Sequence, residues 1–135
     1  ELVVYKYEDQ GVATLEDGLY VLEKNLSNSS FVNKMARFLK ASIKGWEFAA
    51  KNPDAAADIV LENDDTGAQT EKHQRRMMGE INKLIAGFYS KGQGVGYLKP
   101  SDYERTVKVL MASDSDPVIT KRPSGAWSHK IWDAM

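Results

Sequence analysis

Tyr7 stands beside Glu8 and Asp9, with Glu16 and Asp17 a few residues on. A phenol ring next to carboxylates is the most chemically pointed juxtaposition in the chain, because ring faces and carboxylate oxygens together suit a cationic heteroaromatic amine. A solvated connection between two elements accounts for the same residues. Three other groupings invite chemistry and lose it on context. The run Gly92-Gln93-Gly94-Val95-Gly96 has the glycine density of a phosphate loop, but it follows a helical pattern and precedes Tyr97-Leu98-Lys99-Pro100. A nucleotide loop follows a strand and opens a helix. Asp54, Asp58, Glu62, Asp64 and Asp65 are oxygen-rich without the alternation of a calcium loop, so a solvated helix end and a polar turn are expected. His73 and His129, the two histidines, stand far apart with no metal-ligand spacing around either, and both read as surface residues.

The bulk composition narrows the classes further. The 135 residues are 42% hydrophobic and 27% charged, ordinary for one soluble domain. Eighteen basic residues against nineteen acidic ones leave no positive field to gather phosphates, which argues against nucleic acid. With no cysteine, disulfides, thiolate metal sites and a cysteine nucleophile are excluded within these residues. No apolar run approaches the roughly twenty residues of a membrane span. The opening Glu1-Leu2-Val3-Val4-Tyr5 lacks the pattern of a signal peptide, so an exported protein would carry its leader upstream.

The elements that must position these residues divide into two kinds. Leu2 to Tyr5 and Gly18 to Leu22 are short apolar runs rich in β-branched and aromatic residues. They read as two strands buried on both faces, joined by a polar connection from Lys6 to Gly11. From Ser30 the period changes: Val32, Met35, Leu39, Ile43 and Trp46 share one face of a helix ending near Lys51, with Trp46 expected in the core. Asn52-Pro53 reads as a cap and first position of a second helix through Leu61. Met77, Met78, Ile81, Leu84, Ile85 and Phe88 mark a third, from about Thr70 to Tyr89. Ser101 and Glu104 have capping-box spacing for a fourth, running to about Ala112. Val118 to Thr120 reads as a short extended piece, and Trp127 to Ala134 as a last short helix. Asn25-Leu26-Ser27 and Asn28-Ser29-Ser30 fit the glycosylation sequon, a pattern too short to weigh much. Two strands cannot cover four helices, so the expectation is part of a larger α/β unit.

Five pieces of sequence carry a resemblance. Gly18-Leu19-Tyr20-Val21, then Phe31 through Phe38-Leu39-Lys40-Ala41-Ser42-Ile43-Lys44-Gly45-Trp46, then Asn52-Pro53-Asp54-Ala55-Ala56-Ala57, look like the core of the NMT1/THI5-like solute-binding proteins. Gly96 through Thr106 and Pro117-Val118-Ile119-Thr120 also resemble bacterial members, so the likeness spans nearly the whole chain. It implies the carboxy-terminal part of a type II periplasmic-binding fold: α/β, mostly helical with two or three short strands. Residues 1–14 would end the second lobe and cross the hinge, and 15–135 would form the returning part of the first lobe.

The implied function is that of a solute-binding component of an ABC importer, periplasmic or extracellular, with room for a lipid anchor in a longer protein. It would capture a small organic molecule such as a thiamine pyrimidine precursor and pass it to the permease. No cofactor, nucleic acid or catalytic residue is expected. Tyr7, Glu8, Thr14, Glu16 and Asp17 are the expected ligand contacts. Exposed sheet edges would favour a homodimer or strand exchange. Eukaryotic members resemble these proteins but synthesise the pyrimidine, and they carry a cysteine cluster just before the Leu-Tyr motif. Val12, Ala13, Thr14, Leu15 and Glu16 stand there instead, which weakens the synthase alternative. A ligand-sensing or structural domain of a signalling protein is the third reading.

Overall fold

The computed structural model describes residues 2–90, 94–112 and 116–135. A 3-10 turn over Glu23–Ser27 leads into α1 (Ser29–Lys51), followed by α2 (Pro53–Glu62), α3 (Glu71–Ser90), α4 (Pro100–Leu110) and the four-residue α5 (Lys130–Asp133). Helix boundaries follow local chemistry. The Asn28 side chain accepts from the Phe31 N–H at 3.1 Å and caps α1. At the other end the Asn52 side-chain amide and backbone N–H both donate to the Phe48 carbonyl. Asn52 therefore closes α1 rather than capping α2 with its side chain, and Pro53, whose missing N–H costs nothing at a first position, opens α2.

The core lies where α1, α2 and α3 meet. Ala49, Ala56, Ala57 and Met78 form one buried cluster, with Ala57 wholly out of solvent. Small residues let α2 press closely on α3, its most extensive helix contact. Asn82 on α3 donates to the Ala49 carbonyl at 3.0 Å, tying α3 to the end of α1. Arg75 adds a charged seam, pairing with Asp54 at 3.2 Å and Asp58 at 2.7 Å on α2 and with Glu71 at 3.0 Å on its own helix. The Glu71 hydrogen bond, helped by Asp58, pushes the Arg75 pKa up.

The expected α/β architecture is not what this chain builds. Among the described residues there is no strand and no sheet; every regular element is helical. Leu2 to Tyr5 and Gly18 to Leu22 have strand composition but no backbone hydrogen bond joins them. A strand exists only as half of a pair, and a lone two-stranded ribbon is marginal in water. The chain instead reverses at Tyr7, where Val12 N–H and Gln10 N–H donate to the Tyr7 carbonyl and Gly11 N–H to that of Glu8. Gly11 takes φ +71°, the left-handed conformation that terminates such a turn. Val118 to Thr120 likewise forms no strand; Ile119 N–H returns to the Leu110 carbonyl at 3.2 Å, at the end of α4.

Three smaller expectations also change. Trp46 is 40% exposed, because α2 and α3 close on the Ala49 side of α1. Met77 and Leu84 are exposed while Met78 and Ile85 are buried, a narrower face than expected. The Phe88 side chain, and Gly92 and Gln93, lie outside what the structure describes. The capping box at Ser101 does not form: proline presets the first helical φ, so α4 begins at Pro100 after the extended Lys99, and Glu104 pairs with Arg122.

Candidate functional site

Residues 2–22 form an arm that carries all five expected ligand contacts. Tyr7 and Glu8 sit in the turn closed by Gly11, and Thr14, Glu16 and Asp17 follow it. All five are exposed, and none of their side chains has a hydrogen-bond or ion-pair partner among the described residues. Four carboxylates stand from Tyr7 to Asp17 (Glu8, Asp9, Glu16 and Asp17) with no lysine or arginine between them. Elsewhere some acidic residues are matched (Asp54 and Asp58 with Arg75, Glu80 with Lys83, Asp102 with Arg105, Glu104 with Arg122), while Glu23, Glu47, Glu62, Asp65 and Asp133 form no ion pair among the described residues. The arm is thus a locally negative strip beside an exposed ring.

Helix α4 holds this strip in place. The Leu15 N–H donates to Thr106 Oγ1 at 2.9 Å, and Arg105 Nε donates to the Ala13 carbonyl at 2.8 Å. Both contacts grip backbone, so the arm's position does not depend on the side chains at 13 and 15. Ninety-one and ninety-two residues separate the partners. No spacing rule in the sequence joins positions so far apart.

Concave surface lies elsewhere. A groove of about 520 Å³ beside the start of α1 is lined by Ser29, Ser30, Asn33, Arg37, Lys40 and Met135, and by none of the five expected contacts. Lys40 donates to the Met135 carbonyl at 2.7 Å across it. The five expected contacts are exposed along the arm, and none of them lines this groove.

Comparison with protein-family models, curated proteins and solved structures finds no match.

The acidic grouping after α2 has a structural use. Asp64 accepts from Thr66 N–H and Thr66 hydroxyl through Oδ1, at 3.0 and 2.5 Å, and from Gln69 N–H through Oδ2 at 2.9 Å. These donors, the Thr66 hydroxyl foremost, hold the Asp64 carboxyl below the usual carboxylate range. With both oxygens so committed and Asp54 and Asp58 turned to Arg75, the calcium geometry does not arise. Among the described residues no cluster of three potential metal ligands occurs, and no helix is long and apolar enough to cross a membrane.

His129 is the residue whose surroundings the sequence hides. His73 is exposed as expected, but His129 is half-buried between rings. It stacks on Tyr97 with centroids 4.6 Å apart and meets Trp127 edge-on at 4.9 Å. Its Nε2 lies 2.6 Å from the Leu98 carbonyl, which makes Nε2 the protonated, donating nitrogen. Trp132 meets Tyr97 edge-on at 5.4 Å, so this aromatic stack fastens the carboxy-terminal tail to the loop ahead of α4. Trp127 also meets Tyr103 of α4, with centroids 5.9 Å apart.

Proposed function

We propose that this chain serves a solute-binding component of an ABC importer, on the periplasmic or extracellular side, and captures a small organic amine such as a thiamine pyrimidine precursor for delivery to a permease. Two things support the reading. One is the resemblance to the solute-binding family read from the order and spacing of the five sequence pieces. The arm also offers Glu8 next to Tyr7 and, further along, Glu16 and Asp17, all exposed and unpaired among the described residues, groups of the kind that accept from an exocyclic amine. The unpaired carboxylates of the arm are the observation that carries the proposal. Capture needs no covalent step: binding shifts the population of arm positions toward the one that contacts the solute.

The test is a thermal-shift screen against thiamine-related aminopyrimidines, taurine-like sulfonates and nitriles. A solute held at a hundred times its Kd stabilises by about 2.7 kcal/mol, enough to read plainly. The double variant Glu16→Gln, Asp17→Asn removes two exposed charges and is expected to weaken aminopyrimidine binding roughly 2- to 30-fold. Silence across the whole panel, or aminopyrimidine affinity untouched by the double variant, refutes the proposal. Incubation with pyridoxal phosphate and iron, followed by loss of one histidine in the mass spectrum, would make the protein an enzyme instead.

A further inference from the structure

We infer that Arg105 and Thr106 of α4 are positioning residues for the ligand-contact arm, an inference that rests on the solute-capture reading above. Both are set by one neighbour, Asp102, one turn earlier on the helix. The Thr106 hydroxyl has a single proton and donates it to the Asp102 carbonyl at 2.9 Å. Its lone pairs are thereby left for the arm, and one of them takes the Leu15 N–H. The Asp102 carboxylate holds Arg105 Nη1 at 3.0 Å, which fixes the guanidinium plane so that Nε addresses the Ala13 carbonyl. A hydroxyl with a decided direction and a guanidinium with a decided plane make a clip with little freedom of its own.

The clip falls in the middle of the acidic strip. Thr14 lies between the two gripped residues, Glu16 and Asp17 follow at once, and the Tyr7–Gly11 turn precedes. Holding two backbone groups here removes conformational freedom from the contacts on both sides before a solute arrives. Affinity gained in this way comes from preorganisation, without any touch between α4 and the solute. Arg105 also brings a cation close to an otherwise acidic strip, but its pairing with Asp102 spends that charge locally and leaves the strip negative toward a cationic ligand.

Two variants and two readouts test this. Thr106→Val keeps shape and removes the hydroxyl, whereas Thr106→Ser keeps the hydroxyl. With a 4-aminopyrimidine as the probe, Thr106→Val is expected to weaken binding about 2- to 10-fold, the effect of one net hydrogen bond, and to speed amide exchange at Leu15. Thr106→Ser is expected to restore both. Arg105→Lys, which keeps the charge beside Asp102 but loses the Nε donor to Ala13, gives a second route if the valine variant does not fold. Faster Leu15 exchange with unchanged affinity overturns the inference while leaving solute capture standing. Unchanged Leu15 exchange overturns the clip itself. If the unmodified protein binds nothing in the panel, solute capture falls and the positioning role with it, and the exchange data alone then show whether the clip is a packing contact.

Discussion

Replacing Gly94 by alanine asks whether the carboxy-terminal tail is seated as described. A Cβ built on Gly94 would stand 2.6 Å from Trp132 Cη2 and 2.9 Å from Cζ2, closer than side-chain carbons approach one another. The indole cannot swing away freely, because Trp132 meets Tyr97 edge-on at 5.4 Å and Tyr97 is stacked on His129. Adding one methyl to a packed contact of this kind costs about 1–3 kcal/mol. At a typical unfolding entropy per residue, 135 residues give a fall in Tm of about 4–11 °C. The assay is denaturant and thermal unfolding of four proteins: the unmodified chain, Gly94→Ala, Trp132→Ala and the double variant. If the clash is the mechanism, the alanine at 94 is harmless once the indole is gone, and the coupling energy equals the single-variant loss. A Gly94→Ala protein within about 0.5 kcal/mol of the parent, or an equal loss in the Trp132→Ala background, refutes the packing of tail on loop.

Met78→Ala, in the cluster with Ala49, Ala56 and Ala57, is expected to cost about 2–5 kcal/mol by unfolding, because small alanines cannot reach in to refill the space. Asp64→Asn addresses the α2–α3 connection through pH. The folded Asp64 pKa lies below its unfolded value, so its contribution is fully present above the unfolded pKa of about 4 and is lost as pH falls through the folded one. The asparagine variant is therefore expected to be less stable at neutral pH, with the gap to the parent closing as melts are taken from about pH 5 down to about pH 2. A gap that stays constant over that range would show that the carboxylate charge is not what the Thr66 and Gln69 donors recognise.

The helices were legible because helix chemistry is local. Asn52-Pro53 at the α1–α2 break and the three- and four-residue recurrence of Met78, Ile81 and Ile85 act within a turn or two of themselves, whereas the Asn28 cap, equally local, was not read from the sequence. Strands are not local. Leu2-Val3-Val4-Tyr5 carries the right residues, yet nothing in those residues says which backbone will accept their hydrogen bonds, and here none does. Trp46 shows the same limit inside a helix. Periodicity identifies an apolar side, but Ala49 lies only about 60° round the helix from Trp46, and the neighbours chose Ala49. For the site, the acidic residues around Tyr7 were visible as types, whereas Arg105 and Thr106 were not. Both pair with Asp102 one turn earlier, and only the fold turns them toward Ala13 and Leu15.

The amount of surface left uncovered bears on how capture could work. The chain exposes 10638 Å², while a compact monomer of this mass exposes about 7,000 Å². Much of the excess is apolar and lies on the arm, where Leu2, Val3, Val4, Tyr5, Tyr20 and Leu22 are all more than half exposed. Residues 2–5 contribute little burial, whereas Val12, Leu15 and Leu19 are more than half covered and act with the Ala13 and Leu15 hydrogen bonds and the Gly11 turn in placing the arm. Each hydrogen bond is worth about 0.5–1.5 kcal/mol net. A solute needs only a comparable differential affinity to move an equilibrium of that size. An arm packed into a deep core would resist a small ligand, and an arm with no anchor would spend the ligand's binding energy on being ordered. Two backbone contacts to one helix place it between those extremes, as the proposed solute capture requires.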